Sequence, residues 1–145
     1  MKPLIFVITL LFSVGLFAQD TVETAVNTPK IITKLPINKT ATVSGVDIKF
    51  LSVVSDSRCP KNVNCIWAGE VIVLVEVQQK SQKAIEKTIT IGFKRIPEGN
   101  ETDIIFEDKY FTIKAINVSP YPEYGVEVKP LDYVLLFDVI EQAKM

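Results

Sequence analysis

The sequence predicts an all-β protein, folded as a single antiparallel β-sandwich or small β-barrel of about six to eight strands. Apolar and polar residues alternate along several segments, and the apolar positions are rich in Val, Ile and Phe, which favour strands. Turns that contain proline, glycine or asparagine separate these segments. No segment of the predicted domain has the period of an amphipathic helix. A sequence does not show the order in which strands pair, so both architectures stay open at this point.

The strands of the first half follow from alternation and its interruptions. Residues 40–44 predict a short strand, and residues 46–54 a second one in which the apolar positions change phase. A β-bulge near Phe50–Leu51 explains that change of phase. Residues 66–79 give the strongest signal, with valines on one face and further apolar side chains on the other at its start. A strand covered on both faces is typical of the centre of a sheet.

The second half predicts a hairpin and three further strands. Residues 80–84 are polar and form the connection of the hairpin. Pro120 and Pro122 end the penultimate strand, because proline has no N–H to donate to a neighbouring strand. The predicted strands are residues 88–93, 103–107 at a sheet edge, 109–118 and 133–140.

The N-terminus has the layout of a secretory signal peptide. Lys2 supplies the positive n-region, residues 4–17 form the apolar h-region, and Ala18 is a small residue at the cleavage point. The apolar run is shorter than the roughly 20 residues of a membrane-spanning helix, so an anchor is the weaker alternative. We expect a periplasmic or secreted protein with no stable membrane insertion after cleavage. Its parts are a signal peptide at 1–18, a flexible lead-in at 19–34 and a single β domain at 35–145.

Composition excludes several functions. The chain has no histidine, which removes Ser-His-Asp and Cys-His catalysis and histidine-ligated metals. Its two cysteines alone do not complete a tetrahedral zinc site, and their spacing differs from a CxxC redox motif. A net charge of −1 gives no electrostatic attraction to nucleic acid or an anionic membrane. We therefore expect no cofactor, no bound metal and no nucleic-acid partner.

Carboxylates are the remaining candidates for chemistry, and five of them lie in residues 98–108. Oxygen ligands suit calcium, and paired carboxylates can hydrolyse a glycosidic bond. The spacing matches no calcium-loop pattern, and a chain with 17 acidic residues offers some carboxylate pair by chance. We expect a solvated acidic loop, with a calcium-dependent module and a carboxylate-dependent hydrolase of unfamiliar type as alternatives.

The rarest residues are concentrated in residues 56–70, DSRCPKNVNCIWAGE. This segment holds both cysteines, the only tryptophan and one of the two arginines. In an exported protein, Cys59 and Cys65 are expected to form a disulfide, with free thiols as the alternative. A loop this short contributes about 2 kcal/mol by the chain-entropy relation, so the bridge would fix local shape more than it stabilises the domain.

The same segment contains a candidate binding site or structural clasp. Arg58 can form a bidentate ion pair with Asp56 or with Glu70. Trp67 is expected to be half-buried against the disulfide. These four side chains would either lock a loop over one end of the core or present a polar site to a ligand, and the sequence favours the lock.

The segment also resembles a known signature. The pattern Asp56-Ser57-Arg58-Cys59-Pro60, four residues, Cys65-x-Trp67-x-Gly69 is similar to that of an uncharacterised family of small exported bacterial proteins, common in Bacteroidetes-type genomes. The late Pro120-Tyr121-Pro122 is also similar. The resemblance covers about a tenth of the chain. It implies export and a single domain, and it implies no activity.

The expected function is that of an exported, non-enzymatic binding or structural module. Its partner would be an unidentified protein or a small-molecule ligand. Tyr121, Tyr124 and Tyr133 flank proline-containing turns and are expected to cover the end of the sandwich or barrel. Stacking of these rings on sugars or peptides is the alternative.

Overall fold

A computed structural model describes residues 31–92 and 102–142, which contain eight strands and one 3-10 helix. The expected signal peptide and most of the expected lead-in lie outside the described residues. The strands are β1 (Thr33–Pro36), β2 (Thr40–Val43), β3 (Val46–Asp56), β4 (Glu70–Gln79), β5 (Ile85–Gly92), β6 (Ile104–Glu107), β7 (Phe111–Ser119) and β8 (Val134–Glu141). The 3-10 helix, Pro130–Asp132, precedes β8.

The strands form two four-stranded antiparallel sheets, in the orders β1-β8-β7-β6 and β2-β3-β4-β5. The predicted all-β class is confirmed, and the pairing order shows that the architecture is a sandwich. β4 lies inside its sheet and forms a hairpin with β5, as its apolar pattern predicts. Lys34, the last residue of the expected lead-in, already lies in β1 opposite Leu136.

The core lies between the two sheets and is built from alternate positions of their strands. The pleat sends every second side chain to one face, so the Val and Ile residues that alternate in the sequence meet in the interior. The largest core side chains are Phe50 from one sheet and Phe137 from the other, both 0 % exposed. The remaining buried apolar residues are Leu35, Val46, Ile48, Val71, Val73, Val75, Val77, Ile89, Ile91, Ile105, Ile113, Ala115, Val118 and Leu135.

Two irregularities in β3 correspond to the change of phase in its sequence. The pairing register with β4 shifts between Phe50 and Ser52 and again between Val53 and Ser55. The predicted bulge near Phe50–Leu51 is therefore confirmed. An extra residue in one strand increases local bending, and β3 ends at Asp56, the first residue of the unusual segment.

The prediction of a strand over residues 66–79 is wrong at its start. β4 begins at Glu70, and Ile66 and Trp67 belong to the preceding loop. The apolar residues that extended the predicted strand are exposed at the loop instead of covered within a sheet. Apolar composition alone does not distinguish these two environments.

Candidate functional site

Residues 57–69 form the loop between β3 and β4, and backbone hydrogen bonds hold the two ends of this loop together at its base. The backbone N–H of Ser57 donates to Glu70 O at 2.8 Å, and Ser57 Oγ accepts a bond from Glu70 N at 3.2 Å. One step further along, Cys59 N donates to Ala68 O at 2.9 Å. The two strands of the loop therefore stay side by side beyond the last ladder pair.

Gly69 is required at this base because the two backbones approach closely. Its φ is +70°, a conformation that residues with a side chain rarely adopt, and an added Cβ would lie 1.9 Å from Ser57 O. The contact is with backbone, which cannot move aside without opening the base. The observed conformation of the loop therefore requires glycine at position 69.

Arg58 belongs to this loop and is buried, with 7 % of its surface exposed. Nε donates to Asp56 Oδ1 at 2.8 Å and Nη2 to Asp56 Oδ2, which makes a bidentate ion pair. The Asp56 carboxylate also accepts a bond from the Arg58 backbone N–H at 3.3 Å. The predicted pairing of Arg58 with Asp56 is the one observed. Glu70 contributes to the loop through its backbone groups, which are hydrogen-bonded to Ser57.

The other hydrogen bonds of Arg58 cross to the opposite sheet. Nη1 donates to Val118 O at 2.6 Å and to Asn117 Oδ1 at 3.0 Å, and Nη2 donates to Pro120 O at 3.2 Å. All five N–H groups of the guanidinium are therefore paired. The Tyr121 ring lies 4.8 Å from the guanidinium carbon, within cation–π distance.

These contacts define the Arg58 clasp, which consists of Asp56, Arg58, Asn117, Val118, Pro120, Tyr121 and Tyr133. It joins the end of β3 to the end of β7, and therefore one sheet to the other. The Tyr133 hydroxyl lies 3.4 Å from Asp56 Oδ2 and adds a weak contact from the start of β8.

Burial and the Asp56–Arg58 ion pair shift the pKa values of Asp56 and Tyr133. Burial alone would raise the pKa of Asp56, but the hydrogen bonds and the charge of Arg58 outweigh burial and lower that pKa below 3.8. Burial, and then the negative charge of Asp56, raise the pKa of Tyr133 above 10.0. Both shifts favour the protonation states that the clasp uses at neutral pH.

Beyond the clasp, the loop is closed by the disulfide and attached to the turn after β7. Cys59 and Cys65 are bonded, with Cα atoms 6.0 Å apart, which confirms the predicted bridge. Lys61 N donates to Pro122 O at 2.9 Å, and Lys61 Nζ forms an exposed ion pair with Glu123 at 2.8 Å. The two loops therefore lie next to each other and present a shared outer surface.

This outer surface carries exposed apolar side chains, and we call it the loop tip. Ile66 is 95 % exposed and Trp67 is 61 % exposed. The prediction that Trp67 is half-buried is therefore wrong. The adjoining turn contributes Tyr124, which is 82 % exposed. The other members of the loop tip are Val63 and Val126.

The three tyrosines that were expected to cover the end of the core divide between two roles. Tyr121 and Tyr133 are partly buried on the Arg58 clasp, whereas Tyr124 is exposed and does not cover the core. Asn117 is a residue of the clasp that the sequence did not reveal. It lies in the glycosylation-like pattern Asn117-Val118-Ser119, but its side chain accepts hydrogen bonds from Arg58 and from Val118 N.

The acidic segment contains structural contacts where it is described. Asp108 accepts bonds from the backbone N–H groups of Tyr110 and Phe111 and so shapes the turn before β7. Asp103 lies 3.5 Å from the Lys114 ammonium. Glu98 and Glu101 lie outside the described residues. Within residues 31–92 and 102–142, no three Cys, Asp or Glu side chains gather in a way that could hold a metal ion.

Among the described residues, no helix is long and apolar enough to cross a membrane. Comparison of the chain with protein-family models, with curated proteins and with solved structures finds no match.

Proposed function

We propose that this protein is an exported, non-enzymatic β-sandwich module that binds a partner protein through its loop tip. The observation that carries the proposal is the exposure of Ile66 and Trp67, at 95 % and 61 %, on a loop held by a disulfide and by backbone hydrogen bonds. Contact of apolar and aromatic side chains with water is unfavourable, and their burial in an interface is favourable.

The charge of the loop tip supports an apolar contact. Lys61 is paired with Glu123, so this exposed cation of the loop has its charge balanced. Tryptophan and tyrosine are enriched among the residues that contribute most to binding energy in protein interfaces. Trp67 and Tyr124 would be such residues here.

The Arg58 clasp supports this location of the binding surface. A ligand at Arg58 would need a free N–H group, and all five are used inside the protein. The clasp therefore positions the loop that carries Trp67. In this proposal the ligand contacts the loop tip above the clasp, and Arg58 stays an internal cross-link.

Export is supported by the disulfide, because intramolecular bridges form and persist in oxidising compartments. The apolar N-terminal run, the cleavage-like Ala18 and the bridge point to the same compartment. The proposed partner is accordingly a protein of the periplasm or of the cell exterior.

The proposal is tested by affinity capture from an envelope extract of the producing organism, with three versions of the tagged mature protein. The double variant Ile66→Ser/Trp67→Ser should lose a protein that the unmodified module captures, by tenfold or more, as expected when an interface anchor is removed. The captured protein is then identified and its affinity for both versions measured with purified components.

The control is Tyr110→Ser. Tyr110 is 55 % exposed and lies before β7, at the end of the sandwich opposite the loop tip. This variant should capture the same protein as the unmodified module. Capture that is equal for all three versions, with all three folded, would contradict the loop tip as the binding surface.

A further inference from the structure

The two sheets differ in how their edges are protected. Three of the four edge strands, β1, β2 and β6, have four residues each. The fourth, β5, runs over eight residues from Ile85 to Gly92. A long edge strand offers backbone N–H and C=O groups with which another extended segment can pair.

The C-terminal half of β5 is already covered. Thr90 N donates to Thr102 O at 3.1 Å, and Thr102 Oγ1 donates to Thr90 O at 3.2 Å. These bonds show that the backbone groups of Thr90 point away from β4. Because this direction alternates along an antiparallel strand, the backbone groups of Glu86 and Thr88 point away from β4 as well.

Among the described residues, no strand pairs with the outer side of the N-terminal half of β5. All four side chains of residues 85–88 are exposed. In the part of the chain that the structure describes, no group is hydrogen-bonded to the outward backbone groups of Glu86 or Thr88. An incoming strand could therefore form bonds to two N–H and two C=O groups without displacing any of these contacts.

The side chains along this edge define what such a strand should carry. Ile85 and Lys87 lie on the same face of β5 as the core residue Ile89, and Ile85 is 61 % exposed. Lys87 Nζ reaches Ile105 O at 3.4 Å and places a positive charge on the inner side of the edge. In an antiparallel pairing, Lys87 would occupy a non-hydrogen-bonded position, where opposite side chains are closest.

A second copy of β5 is a poor occupant of this edge. Two-fold antiparallel pairing centred on Lys87 places two lysines opposite each other, and pairing centred on Glu86 places two glutamates opposite each other. Like charges in these positions are destabilising. Pairing centred on Thr88 would require the backbone groups of Thr90, which Thr102 already uses.

We propose that residues 85–88 of β5 accept an extended segment of another protein as a fifth strand, with an acidic residue opposite Lys87 and an apolar residue opposite Ile85. This surface is distinct from the loop tip, because Ile85 and Gly92 lie at opposite ends of β5 and Gly92 is the one that pairs with Glu70. The module would then hold two partners, or two parts of one partner, at separate places.

The test uses a defined probe, the acetylated and amidated peptide Val-Thr-Glu-Thr-Val, and amide NMR spectra of the full mature protein. Millimolar peptide should shift the amide signals of Glu86 and Thr88 and leave the amides of the loop tip unchanged. The same peptide with lysine at its centre should bind roughly threefold more weakly, as expected for one cross-strand charge pair.

Two variants make the test specific. Lys87→Glu should reverse the preference, so that the lysine-centred peptide binds more tightly. Thr88→Pro removes an outward N–H without removing a bond to β4, so the fold should be kept and peptide binding reduced. Unchanged amides of Glu86 and Thr88, or a preference that Lys87→Glu does not alter, would overturn the proposal.

Discussion

Arg58 and Asp56 form an ion pair that is buried and fully hydrogen-bonded, and its two partners are two residues apart in the chain. This proximity is why the sequence predicts the pair. The acceptors on the opposite sheet were not predictable in the same way. Val118 O is a backbone carbonyl 60 residues away, and a carbonyl leaves no signature in a sequence.

The lowered pKa of Asp56 predicts a contribution to stability that depends on pH. The folded pKa lies below 3.8, so the contribution is complete above 3.8 and is lost as the pH falls through the folded value. Thermal unfolding between neutral pH and pH values below 3.8 should therefore show a steeper loss for the unmodified protein than for Asp56→Asn. Parallel curves for the two proteins would contradict a role of the Asp56 charge in stability.

At the scale of elements, the loop between β3 and β4 is where sequence-based prediction succeeds in part. The alternation of β4 to β8 predicted their positions to within a few residues, because burial of alternate side chains imposes a strong pattern. The start of β4 was missed, because Ile66 and Trp67 continue the apolar character of the strand but belong to the loop tip. In the sequence, an apolar residue that is exposed on a loop cannot be told apart from an apolar residue within a strand.

Gly69 tests this loop as an element. Gly69→Ala places a Cβ 1.9 Å from Ser57 O at a φ of +70°, so the base of the loop must open. We expect a loss of about 3 kcal/mol or more in urea unfolding, from backbone strain and the lost contacts of the base.

Gly125→Ala is the matched control for this substitution. Gly125 also has a positive φ, +76°, but an added Cβ would meet nothing within 4 Å. Its substitution should cost only about 1 kcal/mol, the conformational term alone. Equal losses for the two alanine variants would show that the close approach to Ser57 does not limit stability.

At the scale of the whole molecule, two sheets enclose one core, and the Arg58 clasp connects them at the end that carries the loop tip. The fold class follows from the sequence because it depends on a pattern distributed over the chain. The choice between sandwich and barrel depends on which edge strands pair. That choice is made by pairing between residues far apart in the chain, which no local pattern encodes.

The central claim is that Arg58 supports the fold by joining the sheets, and that the exposed loop tip is left to bind a partner. The most direct measurement is the melting temperature of Arg58→Ala beside Lys61→Ala. Removing Arg58 leaves Asp56 buried without its counter-ion, which should cost about 3–5 kcal/mol and lower the melting temperature by roughly ten degrees or more. Lys61 forms an exposed pair in the same loop, and its loss should cost less than about 1 kcal/mol. If Arg58→Ala melts with the unmodified protein while the disulfide is intact, Arg58 is not a structural tie and the assignment of the clasp is contradicted.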